Sequence, residues 1–145
     1  MKSSATFWVL DANLAVWAFV PGPRREEAAA LLEQATTIVV PTLWVYEVTS
    51  ALHKIVRAQP AWETTVWGVM GDILRLPDEI LPPDEALARA AYKWANRLGQ
   101  LNVYDAFYLA LAEQLGAEFW TGDKRLYRRA RQVGADFARF VSEAR

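Results

Sequence analysis

Short apolar runs alternate along the chain with longer segments whose hydrophobic residues recur at helical spacing. The apolar runs predict strands over 6–10, 37–40, 79–81 and 118–121, and a fifth over 137–141 that could equally be a helical turn. The longer segments predict helices over 13–19, 24–34, 43–58, 62–74, 84–98, 103–115 and 124–133. Strands that alternate with helices pair in parallel through βαβ crossovers. The pattern therefore predicts an α/β fold with a mainly parallel sheet.

The composition narrows the class of protein and the chemistry available to it. The 145 residues predict one domain, 1–145, and a hydrophobic content of 53% excludes a disordered chain. The absence of cysteine excludes disulfides and a thiol nucleophile, and the single histidine, His53, excludes a histidine-rich metal site. With 16 Lys and Arg against 17 Asp and Glu, a wholly basic nucleic-acid surface is excluded, although a local basic patch is not.

The first apolar runs are too short for export or membrane insertion. Residues 7–10 stop at Asp11 and residues 14–20 stop at Pro21, whereas a membrane-spanning helix needs about 20 apolar residues. We therefore expect a cytoplasmic protein without a membrane partner.

Four carboxylates lie where the predicted elements bring them to one edge of the sheet. Asp11 directly follows the first strand, and Asp123 follows the strand 118–121 by one glycine. Asp105 is in the first turn of the helix that leads back to that strand, and Glu47 lies early in the helix after the second strand. Because sites in parallel sheets form at the carboxyl ends of the strands, we expect the four acids to converge there.

Several carboxylates in one place favour a bound cation, because their like charges repel each other. Oxygen ligands without histidine or cysteine suit Mg²⁺ or Mn²⁺, and one or two such ions activate water for attack on a phosphodiester. Asp11 and Asp123 could instead cap the helices that follow them, and Asp105 could be stabilised by its helix dipole. Glu47 could extend its carboxylate to solvent or pair with a nearby Lys or Arg. The convergence of all four favours an acidic metal site.

Four stretches of the chain resemble the PIN-domain family in order and spacing. They are residues 9–13, 41–48, 104–112 and 121–126, of which Tyr104-Asp105-Ala106 and Thr121-Gly122-Asp123 are the most specific. The resemblance covers essentially the whole chain, and single-domain chains of this size resemble the VapC-type toxins of bacterial and archaeal toxin–antitoxin pairs. It implies a three-layer α/β/α domain whose central, mainly parallel sheet has about five strands.

The resemblance also implies an activity and partners. It implies an endoribonuclease that hydrolyses RNA phosphodiester bonds and depends on Mg²⁺ or Mn²⁺, with one or two ions per site. It further implies a homodimer that is inhibited by a small antitoxin, which binds DNA and threads a segment into the acidic groove.

Transferred position by position, the resemblance assigns roles to six residues. The catalytic and metal-binding acids would be Asp11, Glu47, Asp105 and Asp123. Asp11 and Asp105 would be the most direct ligands, and Asn13 and Thr121 would orient the acids or water. The chain departs from the family at Asn13, where Ser or Thr is common, and at Asn102, where a small hydroxyl residue often stands; both keep a hydrogen-bonding group.

The predicted helix 124–133 carries cations that could hold RNA phosphates. Lys124 and Arg125 are nearest to the acidic edge, with a solvated helix face as the alternative interpretation. Arg24 and Arg25 form a second, weaker basic patch.

The aromatic residues and the histidine have mostly structural interpretations. The tryptophans expected in the core, from strands or apolar stripes, are Trp8, Trp44 and Trp120. Trp62 and Trp67 could form a dimer or antitoxin surface, with core packing as the alternative. His53 has no partner acid at catalytic spacing, so we expect it to be structural or exposed.

Two other functions stay open on the sequence. A PIN-like module could bind a partner without turnover, or the nuclease could act on DNA, although no extra domain for branched DNA is present. A phosphate-binding P-loop or a dinucleotide fingerprint is excluded, because no glycine-rich loop follows a strand. Loss of RNA that needs a divalent ion and disappears in Asp11→Asn would separate the nuclease from the binding module.

Overall fold

Five strands and seven α-helices make up the computed structural model, which describes residues 7–143. The strands are β1 (Phe7–Leu10), β2 (Thr37–Pro41), β3 (Glu79–Leu81), β4 (Glu118–Thr121) and β5 (Ala138–Phe140). The helices are α1 (Ala12–Phe19), α2 (Arg25–Leu32), α3 (Leu43–Ala58), α4 (Val66–Leu74), α5 (Glu85–Leu98), α6 (Tyr104–Leu115) and α7 (Lys124–Gln132). Short 3₁₀ turns span Pro60–Trp62 and Val141–Glu143.

The strands and helices predicted from the sequence are all present, with bounds that differ by a few residues. Thr6, predicted as the first residue of β1, lies outside the described residues. The predicted helix 62–74 is shorter, because Pro60 begins a 3₁₀ turn and α4 starts only after Thr64 and Thr65, which disfavour helix. The ambiguous segment 137–141 contains β5 and then enters a 3₁₀ turn.

Two helix caps that residue type predicts, at Thr42 and Asn102, do not form. Thr42 occupies the N-cap position of α3, but its side chain makes no hydrogen bond to the helix. Val103, which has no polar side-chain atom, occupies the N-cap position of α6, so Asn102 lies one residue too early. By contrast, Asp84 caps α5 by accepting a hydrogen bond from the N–H of Leu87 at 2.8 Å.

All five strands are parallel, and they pair in the order β3-β2-β1-β4-β5. The chain therefore extends the sheet on one side of β1 as far as β3 and then crosses over to add β4 and β5 on the other side. In such sheets a crevice forms outside the carboxyl ends of the strands where the direction changes, here between β1 and β4. Asp11 directly follows β1 and Asp123 follows β4 by one residue, so both acids border this crevice.

Helices cover both faces of the sheet, in the three α/β/α layers that the resemblance implied. Helix α6 packs against β1, β2 and β4, and α5 packs on α6, whereas α1 contacts β4 and packs with α2, α3 and α4. Helix α6 is mostly buried, as its apolar sequence predicts. The three tryptophans predicted in the core are buried: Trp8, Trp44 and Trp120.

Across residues 7–143, no helix combines the length and the apolar character that crossing a membrane requires.

Candidate active site

Four acidic side chains from four elements interact electrostatically at the carboxyl edge of the sheet. Asp11 precedes α1, Glu47 lies in α3, Asp105 is in the first turn of α6, and Asp123 precedes α7. Burial is the largest cause that raises the pKa of Asp11, and the charges of Glu47 and Asp105 raise it further. The pKa of Asp105 is likewise raised by burial first and then by Asp123. Each of the four acids therefore interacts with at least one other at this edge of the sheet, and Asp123 interacts with Asp105.

Asp11 is the most buried of these acids, with 8% of its surface exposed. Its pKa rises to about 7, because burial outweighs the hydrogen bond from Thr121 and the charges of Glu47 and Asp105 add to the effect of burial. It occupies the N-cap position of α1 without a side-chain capping hydrogen bond, and the N–H of Asn13 lowers its pKa less than the hydroxyl of Thr121 does. The main hydrogen bond of Asp11 is therefore the one from Thr121 and not a bond to the end of α1.

Thr121 connects the buried acid to the loop that follows β4. Its hydroxyl donates a hydrogen bond to Oδ2 of Asp11 at 2.7 Å and accepts one from the N–H of Asp123 at 2.9 Å. Oδ1 of Asn13 accepts a hydrogen bond from the N–H of Gly122 at 3.3 Å. Asn13 and Thr121 thus fix the ends of β1 and β4 relative to each other, and Thr121 fixes one oxygen of Asp11 directly.

Glu47 is held by a residue from the opposite helix. The hydroxyl of Tyr108, which lies fully buried in α6, donates a hydrogen bond to Oε1 of Glu47 at 2.6 Å. Burial raises the pKa of Glu47, the hydrogen bond from Tyr108 opposes that shift, and the charge of Asp105 adds to it. Burial and the charges of Asp11 and Glu47 raise the pKa of Tyr108 well above its ordinary value, so the phenol remains a hydrogen-bond donor.

Asp105 and Asp123 are more accessible than Asp11. Nε2 of Gln100 donates a hydrogen bond to Oδ2 of Asp105 at 3.3 Å and partly opposes the rise in its pKa. Asp123 is exposed and caps α7, because its Oδ1 accepts a hydrogen bond from the N–H of Leu126 at 3.1 Å. The capping interpretation of Asp123 is therefore confirmed, and its second oxygen has no hydrogen bond among those found in the described residues.

The chemistry of the four acids fits a hard cation, although their carboxylates do not surround one common point in this structure. Only carboxylate oxygens are offered, and these are the ligands that Mg²⁺ and Mn²⁺ prefer. Within residues 7–143, no three Asp, Glu or His side chains stand close enough together to hold an ion. The raised pKa values of Asp11, Glu47 and Asp105 come from burial and neighbouring carboxylates, and a bound cation would relieve the repulsion.

An open groove of about 630 Å³ leads to Asp11 and Glu47 and is lined mainly by apolar surface. Tyr46 and Tyr104 line it with 68% and 55% of their surfaces exposed, and Lys54 contributes a cation. A smaller groove beside it is lined by Glu47, Tyr104 and Asp105. The acids are therefore reached from solvent along a surface with exposed aromatic rings.

The other residues singled out from the sequence lie at the surface or beside the acids. Lys124 and Arg125 are exposed at the start of α7 and line a pocket that also includes Asp123. His53 is exposed, as expected. Core packing is wrong for Trp67, which is 67% exposed, because α4 buries a different face.

Tyr108 and Gln100 are site residues to which the sequence assigned no role. Tyr108 lies three residues after Asp105, so the two share a helix face, and that spacing is a signal that could have identified it. Gln100 lies in the loop before α6, whose conformation no pattern in the sequence defines.

A comparison with family models matches the description "PIN domain" over residues 8–132. That range includes all four acids. The likeness to PIN domains that the sequence motifs indicated is therefore confirmed.

Comparisons with individual proteins agree with the family match. The chain is 29% identical over 119 residues to a protein of Pyrobaculum aerophilum named Ribonuclease VapC3, covering 81% of this chain and 90% of the relative. The crystal structure of PAE2754 from the same organism has a TM-score of 0.72 at 19% identity and covers 98% of this chain and 94% of that one. A toxin–antitoxin complex from Klebsiella pneumoniae has a TM-score of 0.66 at 18% identity, with 92% and 96% covered. The structural likenesses show the fold.

Proposed function

Because the chain belongs to the PIN-domain family, we propose that it is a divalent-metal-dependent endoribonuclease and the toxin of a toxin–antitoxin pair. The observation that carries the proposal is Asp11, a buried carboxylate with Glu47 and Asp105 as its charged neighbours. Such an arrangement lowers stability in the absence of a cation, because buried charge needs a partner of opposite sign. A bound metal ion would supply that positive charge, so the buried carboxylates would serve as its ligands.

The metal in this proposal is Mg²⁺ or Mn²⁺, bound as one or two ions by Asp11, Glu47, Asp105 and Asp123. Asp11 and Asp105 would be the most direct ligands, and Glu47 and Asp123 would bind directly or through water. When bound, such an ion would supply an activated water molecule and stabilise the charge that develops on the phosphate. Thr121 orients Asp11 through its hydrogen bond of 2.7 Å, and Asn13 fixes the loop that carries Asp123 through the N–H of Gly122.

RNA is the substrate that the groove and the relatives support together. Unpaired bases stack on exposed aromatic rings, and Tyr46 and Tyr104 present such rings beside the acids. Lys124 and Arg125 are exposed next to Asp123, where they can bind phosphate oxygens. The groove itself would accept unpaired bases of either RNA or DNA. The relative that is 29% identical is named a ribonuclease, which favours RNA as the substrate.

The partners in this proposal are an antitoxin protein and a second copy of the chain. The similar complex from Klebsiella pneumoniae pairs a toxin with an antitoxin, and its fold matches over 92% of this chain. The exposed ring of Trp67 gives α4 an apolar contact surface that suits either partner. We expect the toxin to act in the cytoplasm, where RNA and an antitoxin are both present.

Cleavage of total tRNA with added Mg²⁺ or Mn²⁺ tests the proposal. Wild type and Asp105→Asn are purified free of any partner, and a single-stranded DNA of matched length is included in parallel. We expect wild type alone to cut the tRNA, EDTA to stop the reaction, and the DNA to stay intact.

Three outcomes would contradict parts of the proposal. Cleavage by Asp105→Asn at the wild-type rate would remove the acids from the mechanism. Preferred cutting of the DNA would make the protein a DNA-directed nuclease. Metal binding without cleavage of any RNA would support a binding module instead.

A further inference from the structure

A second pocket adjoins the groove at Asn13, which lines both. Its volume is about 720 Å³, and we call it the basic pocket, because three of the side chains that line it are cations: Arg24, Lys124 and Arg125. Only two carboxylates line it, those of Glu27 and Asp123. Two basic patches that are 100 residues apart in the sequence thus form one pocket beside the acids. Arg25, the neighbour of Arg24 in the chain, does not line it.

Arg24 is held over the pocket by an aromatic ring. The Cζ atom of its guanidinium lies 4.4 Å from the centroid of the Trp17 ring, and its Nη1 is 3.5 Å from the carbonyl oxygen of Gly122. A guanidinium that stacks on an aromatic ring keeps its N–H groups available at the edge of its plane. Stacking therefore orders Arg24 while leaving donors for an anion.

The same ring packs against the loop that carries Asp123. A Cβ atom at Gly122 would lie 2.1 Å from Cζ3 of Trp17, so only glycine permits this contact. Trp17 therefore fixes the position of Arg24 relative to Thr121 and Asp123, which flank Gly122. The guanidinium of Arg24 is therefore held at a fixed distance from the acidic site, because Trp17 contacts both Arg24 and Gly122.

Among residues 7–143, no carboxylate forms a salt bridge with a cation of the basic pocket. The salt bridges found in residues 7–143 join Arg75 to Asp72, Arg89 to Glu85 and Arg139 to Glu118, so none involves Arg24, Lys124 or Arg125. Three unpaired cations that share a pocket form a site for an anion with several oxygens, and arginine binds phosphate with two parallel hydrogen bonds.

We propose that the basic pocket binds a backbone phosphate of the RNA next to the phosphate that is cut, with Arg24 as its principal ligand. The inference rests on the proposed function. It identifies the contact between Arg24 and a neighbouring phosphate as the one that aligns the RNA strand. A strand that crosses Asn13 has its bases beside Tyr46 and Tyr104 in the groove and its neighbouring phosphate in the basic pocket. Arg24 then acts in substrate binding and not in the chemical step.

Arg24→Ala and Arg25→Ala form a matched pair for the test, because each removes one exposed arginine at the start of α2 and only Arg24 lines the pocket. Binding of a short labelled single-stranded RNA of mixed sequence is measured by fluorescence anisotropy at several salt concentrations. The proteins for this arm also carry Asp105→Asn, so that the RNA is not cut. In a second arm, KM and kcat for cleavage are measured without that change.

We expect Arg24→Ala to weaken RNA binding by about tenfold, and Arg25→Ala to change it little. The slope of log K against log salt concentration should fall by about 0.7 in Arg24→Ala, since one phosphate contact is lost. KM should rise with kcat unchanged. Arg24→Lys should restore the slope but only part of the affinity, because lysine keeps the charge and loses the flat stacking on Trp17.

Equal effects of Arg24→Ala and Arg25→Ala would overturn the inference, since they would mean general attraction without a localised site. A lower kcat and melting temperature with an unchanged salt slope would also overturn it, because Arg24 would then only hold the Gly122 loop. Failure of the proposed function is recognised separately: wild type would bind the RNA but cut it with neither Mg²⁺ nor Mn²⁺.

Discussion

Within residues 7–143, the hydroxyl of Tyr108 donates the one hydrogen bond found to the side chain of Glu47, so Tyr108→Phe tests the metal site directly. The variant keeps the buried ring, which stacks on Phe119, and removes only the hydrogen bond of 2.6 Å. We expect the free energy of unfolding to fall by about 1 kcal/mol. Affinity for Mn²⁺ should fall by about tenfold or more, because residues that orient metal ligands have effects of that size. Urea unfolding and calorimetric titration measure the two quantities.

Tyr127→Phe is the matched control, since it also removes a tyrosine hydroxyl from a glutamate. Tyr127 donates to Oε2 of Glu143 at 3.3 Å, and neither residue belongs to the acidic site. Loss of this hydrogen bond in Tyr127→Phe should leave the affinity for Mn²⁺ at the wild-type value. Wild-type Mn²⁺ affinity in Tyr108→Phe would show that Glu47 does not need this hydrogen bond to contribute to the site.

At the residue scale, the sequence identified acids more readily than the groups that orient them. Asp11 and Asp105 could be predicted because each follows or begins an element whose direction the pattern defines. The contact between Tyr108 and Glu47 joins residues 61 positions apart, and it depends on how α3 and α6 pack, which periodicity does not specify. The sequence also left the capping role of Asp11 open, and the structure shows its side chain bonded to Thr121 without a capping hydrogen bond.

Asp123, the N-cap residue of α7, has both a structural role and a proposed metal-binding role. Asn caps a helix about as well as Asp, so Asp123→Asn should leave the free energy of unfolding nearly unchanged while RNA cleavage falls strongly. Asp123→Ala removes the hydrogen bond to the N–H of Leu126 as well, and it should lower the free energy of unfolding by about 1 kcal/mol. Chemical denaturation and tRNA cleavage are measured on both variants.

Asp84, the N-cap residue of α5, provides the control for the Asp123 variants at the N-cap of α7. Asp84 accepts from the N–H of Leu87 at 2.8 Å and lies outside the acidic site, so Asp84→Ala should lower stability by a similar amount and leave cleavage unchanged. If Asp123→Asn cleaves RNA as fast as wild type, Asp123 is a helix cap and has no part in the chemistry.

At the element scale, strong periodicity and clear stop signals predicted well. The bounds of α3 agree with the prediction to the residue, because Pro41 and Pro60 delimit an apolar stripe between them. The predicted start of the helix after Pro60 was wrong, since a proline and two threonines favour a 3₁₀ turn and a connection there. The capping prediction at Asn102 failed because α6 begins one residue later than predicted, so Val103 occupies its N-cap position. The prediction at Thr42 failed although the helix begins where expected, because Thr42 has helical backbone angles and its side chain forms no capping hydrogen bond.

For the whole molecule, the order of strands and helices was sufficient to predict where the site forms. A parallel sheet whose order changes direction at β1 has its crevice between β1 and β4, and both strands are followed by acids. The basic pocket was beyond the sequence, because it joins Arg24 to Lys124 and Arg125 through the packing of Trp17 on Gly122. Such contacts between distant segments depend on side-chain packing, which neither composition nor spacing determines.

The acidic site should make the stability of the whole molecule depend on its cation, and Asp11→Asn should weaken that dependence. Without metal at neutral pH, the variant removes charge from a buried position beside Glu47 and Asp105, so it should be more stable than wild type by on the order of 1 kcal/mol. With Mn²⁺ at a hundred times its Kd, wild type should gain about 2.7 kcal/mol, and the variant much less. Asp136→Asn, which neutralises an exposed acid outside the site, should respond as wild type does. Melting curves recorded with EDTA and with Mn²⁺ measure the difference. If Mn²⁺ stabilises Asp11→Asn as much as it stabilises wild type, Asp11 does not bind the metal.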